Sequence, residues 1–86
     1  MTKSLINVTV KLFAVYQEVY GKTELRLSFP EGSSVSDALD YLIQEKSELE
    51  KWRDVTRFGV NLQFVTAETL INDGDEIVLI PPVSGG

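Results

Sequence analysis

Asn72-Asp73-Gly74-Asp75-Glu76-Ile77-Val78-Leu79-Ile80-Pro81-Pro82-Val83-Ser84-Gly85-Gly86 is the stretch that decides the fold. Asn, Asp and Gly in succession signal a turn, because Asx side chains bond to nearby backbone and Gly accepts a positive φ. Glu76 to Ile80 then read as a strand that is almost continuously apolar, the pattern of a central strand covered on both faces. Two prolines stop it. They offer no backbone donor to a sheet and favour a stiff, extended chain. The rest of the domain must therefore be arranged around residues 76–80.

A central strand needs neighbours, and the sequence supplies them. Ile6, Val8, Val10 and Leu12 alternate with Asn7, Thr9 and Lys11, which predicts a strand over 6–13 with one buried face. Leu25, Leu27 and Phe29 repeat the alternation over 24–29, until Pro30-Glu31-Gly32 ends it. The segment between them, closing at Gly21, fits a short helical turn or a wide loop. Phe58-Gly59-Val60-Asn61 and Gln63-Phe64-Val65 read as short strands with a turn near Asn61.

One segment has helical periodicity. Val35, Ala38, Leu39, Leu42 and Ile43 fall on one face and Asp37, Asp40, Gln44 and Glu45 on the other, predicting a helix over 35–46. Ser34 is its N-cap, with Asp37 as a weaker third-position partner than Glu or Gln. Leu49 and Trp52 extend the apolar surface from a following turn. A lone helix must lay its apolar face on the sheet. The economical arrangement is α+β: a four- to five-stranded mixed sheet packed on one main helix, with the first strand beside the last. That is the β-grasp, or ubiquitin-like, architecture. Residues 1–80 form the domain, and residues 81–86 an extended flexible tail ending in Gly-Gly.

Composition narrows the chemistry. Of 86 residues, 43% are apolar, enough for a folded core at this charge. There is no cysteine and no histidine, which excludes disulfides, a zinc ribbon, a thiol nucleophile and the commonest general base. A net charge of −5 argues against nucleic acid and suits a basic partner surface or simple solubility. No apolar run approaches the roughly 20 residues of a membrane span, and the N-terminus has no signal-peptide pattern. The expected setting is cytoplasmic, with no membrane and no nucleic-acid partner.

The tail then draws attention. Six residues follow Ile80, and fully extended they reach ~20 Å. Gly85 and Gly86 carry no side chains, so they can thread a narrow channel and bend inside it. A terminal carboxylate resists nucleophiles because it is anionic and has a poor leaving group. Adenylation by ATP removes both obstacles, and a sulfur nucleophile can then leave a thiocarboxylate. The alternative reading is an inert frayed end, since Gly and Ser are common in such tails.

Leu12-Phe13-Ala14, Glu18, Gly21, Val60-Asn61, Asp73-Gly74-Asp75-Glu76 and Pro81-Pro82-Val83-Ser84-Gly85-Gly86 span nearly the whole chain. Together they resemble the small subunits of molybdopterin synthase (molybdopterin-converting factor subunit 1), a family of ubiquitin-like sulfur carriers. The thiamine sulfur carriers share the Gly-Gly end but usually lack the Pro-Pro step. The resemblance implies that Gly86, presented by Gly85, is adenylated by a ubiquitin-activating-like adenylyltransferase and converted to a thiocarboxylate by a sulfur donor. It then gives sulfur to cyclic pyranopterin monophosphate in molybdenum cofactor biosynthesis, within a heterotetramer with the large synthase subunit. The implied carrier is not catalytic alone and binds no cofactor; the ATP is used by the partner. The family's apolar docking positions match Phe13, Phe64 and Ile80, and the tail residues Pro81, Pro82, Val83 and Ser84 contact the partner. Phe13 lies out of phase with the buried side of its strand, so it is expected at the surface. One departure is Gln17, before Glu18, where the family often carries Arg.

Other residues give weaker signals. Asp73, Asp75 and Glu76 are too few for a calcium loop and read as a solvated turn, so no metal site is expected. Tyr16, Tyr20 and Trp52 read as packing residues, and the lysines show no cluster. Two further uses of the same Gly86 stay open: conjugation to lysines as a ubiquitin-like modifier, and sulfur carriage for a thiamine or tungsten pterin route. An inert β-grasp binding module is the third possibility.

Overall fold

The computed structural model describes residues 4–82. The chain runs β1 (Leu5–Leu12), α1 (Val15–Tyr20), β2 (Glu24–Pro30), α2 (Val35–Glu45), a 3-10 segment (Ser47–Val55), β3 (Arg57–Val60), β4 (Gln63–Val65) and β5 (Glu76–Ile80). The five strands form one sheet in the order β2-β1-β5-β3-β4. β1 and β5 pair in parallel, and the other neighbours are antiparallel. The last strand is thus central and lies beside the first, as the β-grasp architecture requires.

The core follows the two periodicities. Ile6, Val8, Val10 and Leu12 of β1, with Ile77 and Leu79 of β5, are buried together with Val35, Ala38, Leu39, Leu42 and Ile43 of α2. Each such aliphatic side chain larger than alanine contributes about 1.5–3 kcal/mol by leaving water. At the start of α2 a full capping box forms: Asp37 N–H donates to Ser34 Oγ at 3.3 Å, and Ser34 N–H donates to Asp37 Oδ2 at 2.9 Å. The short Asp side chain therefore closes the box that Glu or Gln usually closes. The helix ends at Glu45, with Lys46 as its C-cap, one residue before the predicted end.

Two expectations need correction. β1 ends at Leu12 rather than Phe13, because Ala14 takes φ 51° and turns the chain away from the sheet. β5 is central but is not covered on both faces. Ile77 and Leu79 are fully buried, while Glu76, Val78 and Ile80 are only half-buried. The helical layer covers one side of the sheet, so the apolar residues on the other side of β5 remain partly in water.

The 3-10 segment completes the helical layer. Leu49 is fully buried and Trp52 packs against the core. Thr56 Oγ1 donates to the Trp52 carbonyl at 2.8 Å, which uses its only proton, so the buried Tyr16 hydroxyl donates to Thr56. Burial holds the Tyr16 phenol above its usual pKa. Arg53 is clamped by Asp40 and by Glu50, the latter at 2.7 Å, and their hydrogen bonds hold its guanidinium firmly charged.

Candidate functional site

The strand registers write out the open face of the sheet. Glu24, Lys11, Val78, Gly59 and Phe64 form one row across all five strands. In the next row toward the tail, Ile80 stands opposite Arg57. Alternation puts these residues on the side away from α2. A Cβ built on Gly59 would lie 3.6 Å from Val78 Cβ, which places both on that side. The row is ionic at its β2 end, where Lys11 Nζ donates to Glu24 at 2.8 Å, raising the lysine pKa and lowering that of the carboxylate. It is apolar at its β4 end.

Phe13 is 49% exposed and Phe64 78% exposed, while Ile80 is half-buried. Phe13, Trp52, Val78, Ile80, Pro81 and Pro82 line one groove of about 780 Å³ where β5 hands over to the tail. Pro81 is buried and Pro82 exposed, so the chain leaves the packed surface between them. Phe64 stands apart, beyond Gly59, and lines a second cavity of about 860 Å³ with Leu39, Asp40, Arg53 and Arg57. Val83, Ser84, Gly85 and Gly86 lie outside the described residues. Among the expected positions, four therefore share a groove and Phe64 flanks it. Sequence reasoning missed Val78, because an apolar strand read as buried on both sides hides its outward residues. It also missed Trp52 as a groove wall, because a 3-10 segment has no clear periodic signature.

A strained turn presents Phe13. Ala14 adopts φ 51° and ψ −122°, and Tyr16 N–H donates to the Phe13 carbonyl at 3.1 Å. This is the first central position of a type II′ turn, which favours glycine. Strain at such a residue costs about 1–3 kcal/mol. Ala14→Gly is expected to stabilise the domain by about 1 kcal/mol in urea denaturation, after the larger entropy of the unfolded glycine is subtracted. A destabilised variant would show that the turn is not strained.

The other end of β5 is fixed by polar bonds. Asp73 Oδ1 accepts from Asn7 N–H at 2.8 Å, and Gly74, at φ 86°, donates its N–H to the Asn7 carbonyl at 2.7 Å. Asp75 accepts from Asn61 Nδ2 at 2.9 Å and from Asn72 N–H at 2.7 Å, while Glu76 N–H donates to Asn61 Oδ1 at 2.9 Å. These bonds lock the register of the strand that carries the tail. Among the described residues no group of three or more His, Cys, Asp or Glu is placed to hold a metal ion. Nor is any described helix long and apolar enough to cross a membrane.

Comparison with known proteins gives this geometry a setting. The chain is 34% identical over 83 residues to the molybdopterin synthase sulfur carrier subunit of Arabidopsis thaliana, covering 96% of this chain and 86% of that protein. It is 31% identical to the small archaeal modifier protein 1 of Methanosarcina acetivorans, with a TM-score of 0.76 over 96% of this chain and 99% of that one. It is 27% identical, with a TM-score of 0.61, to a chain in the complex of subunits 1 and 2 of molybdopterin-converting factor from Helicobacter pylori, over 94% and 100% of the two chains. Residues 10–86, which include every strand of the sheet except the start of β1, match the ThiS family, and the chain belongs to that family.

Proposed function

We propose that this chain is the sulfur carrier subunit of a molybdopterin synthase, working through the carboxylate of Gly86. One observation carries the reading: an apolar groove opens where the central strand hands over to Pro81 and Pro82, in a chain 34% identical to a named sulfur carrier subunit. A partner that covers the groove grips the domain at the root of the tail, and the six residues after Ile80 give an extended reach of ~20 Å into its reaction centre. An adenylyltransferase joins the Gly86 carboxylate to AMP and releases pyrophosphate. A sulfur donor displaces the AMP, and the resulting thiocarboxylate delivers sulfur to cyclic pyranopterin monophosphate on the large subunit, in a heterotetramer. The chain itself supplies the carrier group and the docking face, and the partner uses the ATP.

The relatives favour a second reading as well. A 31% identical structure is that of a small archaeal modifier protein, so Gly86 is also suited to forming an isopeptide bond with a lysine. Reconstitution separates the two. Thiocarboxylated chain, mixed with a large synthase subunit and cyclic pyranopterin monophosphate, is expected to yield molybdopterin, detected as its fluorescent oxidation product. No product, together with a ladder of Gly86-dependent conjugates on immunoblots of cell lysate, would replace the carrier reading with the modifier.

A further inference from the structure

At the tail end of the docking face lies a cation that the reading above does not use. Arg57 opens β3 directly opposite Ile80 and is exposed. It lines a cavity of about 580 Å³ with Ile80, Pro81 and Pro82 at the root of the tail, and also the larger cavity beside Phe64. It therefore sits between the two apolar anchors of the face. Among the described residues, Lys11 is paired with Glu24, and Arg53 with Asp40 and Glu50, while Arg57, like the exposed Arg26 of β2, has no salt bridge, and Asp54 lines both cavities beside it.

A guanidinium at this place has a consequence for docking. A partner that covers Ile80 and Phe64 removes water from Arg57, and an uncompensated charge at an interface is strongly unfavourable. The net charge of −5 attracts a basic surface, which by itself repels Arg57. The partner must then break its own charge pattern at one point. We propose that Arg57 selects the partner, and that the large-subunit surface covering Phe13, Ile80 and Phe64 presents a carboxylate that accepts its guanidinium N–H groups. This rests on the synthase reading above. The planar fork of arginine suits a carboxylate in two-point contact, which a lysine does not reproduce. Arg57 acts on docking, because it lines the cavity formed with Ile80, Pro81 and Pro82 at the root of the tail.

The test is calorimetric titration of the chain with the large synthase subunit of the same organism, at low and high salt. Arg57→Glu is expected to weaken binding by at least about tenfold, and Arg57→Leu by less. The salt dependence of the wild-type chain should be steeper than that of Arg57→Leu. Exchanging the facing carboxylate of the partner for lysine should restore binding to Arg57→Glu. Because Arg57 is exposed, both variants should keep the wild-type thermal unfolding curve. If the wild-type chain binds and Arg57→Glu binds within about twofold of it, the selection role is wrong while the synthase reading stands. If Arg57→Glu docks normally but is adenylated slowly, Arg57 meets a nucleotide phosphate instead, and the proposal falls. If the wild-type chain binds no large subunit at all, the synthase reading falls and this inference falls with it.

Discussion

A chain lacking Gly86 is expected to take up no sulfur. Incubated with ATP, a cognate adenylyltransferase and a sulfur donor, the intact chain should gain the mass of one oxygen replaced by one sulfur. The truncated chain should stay unchanged. A chain extended by one residue beyond Gly86 should fail as completely, because the new carboxylate lies about one residue, ~3.5 Å, out of place. Misplacement by ~1 Å already costs on the order of a hundredfold in rate. Neither change should alter stability, since the last strand residue in the buried core is Leu79. A truncated or extended chain that accepts sulfur at the wild-type rate would sink the carrier reading. No mass gain in the intact chain, with an adenylyltransferase proven active on its own carrier, would turn attention to an inert binding module.

Phe64→Asp is expected to weaken docking strongly without unfolding the domain. An exposed aromatic anchor that a partner buries typically contributes about 2–4 kcal/mol, which is roughly thirtyfold to a thousandfold in Kd. Phe64 is 78% exposed in the free chain, so the folded domain loses little when it becomes polar. Its effect on unfolding should stay within about 0.5 kcal/mol. Phe58→Asp is the contrast. That residue is one position from Gly59 but points into the core at 8% exposure, and an unpaired carboxylate there should unfold the domain. Wild-type affinity of Phe64→Asp for both the adenylyltransferase and the large subunit would show that this aromatic is not a docking anchor.

Much of this architecture was legible in the sequence because its signals are periodic. The five buried positions of α2 follow from spacing alone, and so does the inward side of β1. The turn at Asn72–Asp75 follows from residue type. What escaped has physical reasons. A single helical layer cannot cover both sides of a sheet, but an apolar strand such as β5 looks the same whether its second side meets protein or water. Val78 was hidden in that ambiguity, and Ile80 was named only through the family resemblance. The strand end at Leu12 depends on the backbone angle of Ala14, and alanine gives no sign that it will take a glycine-like conformation. The tail contacts Pro81, Pro82, Val83 and Ser84 came from the family resemblance, and Gly85 and Gly86 rest on the carrier argument.

The parallel pairing of β1 with β5 also governs when the molecule becomes competent. Thr9 pairs with Glu76, a separation of 67 positions, whereas β1 and β2 join through a short connection. Closing the long loop costs more entropy, and non-local pairings of this kind slow folding. The β1–β2 pair is therefore expected to assemble early, with one edge of β1 still open to wrong partners. Only the arrival of β5 seals that edge. The same event sets Ile80 and Pro81 in place and aims whatever follows them. Intermediates lacking the central strand would have neither Ile80 nor Pro81 in the groove, so a formed groove is itself a certificate that the domain has finished folding.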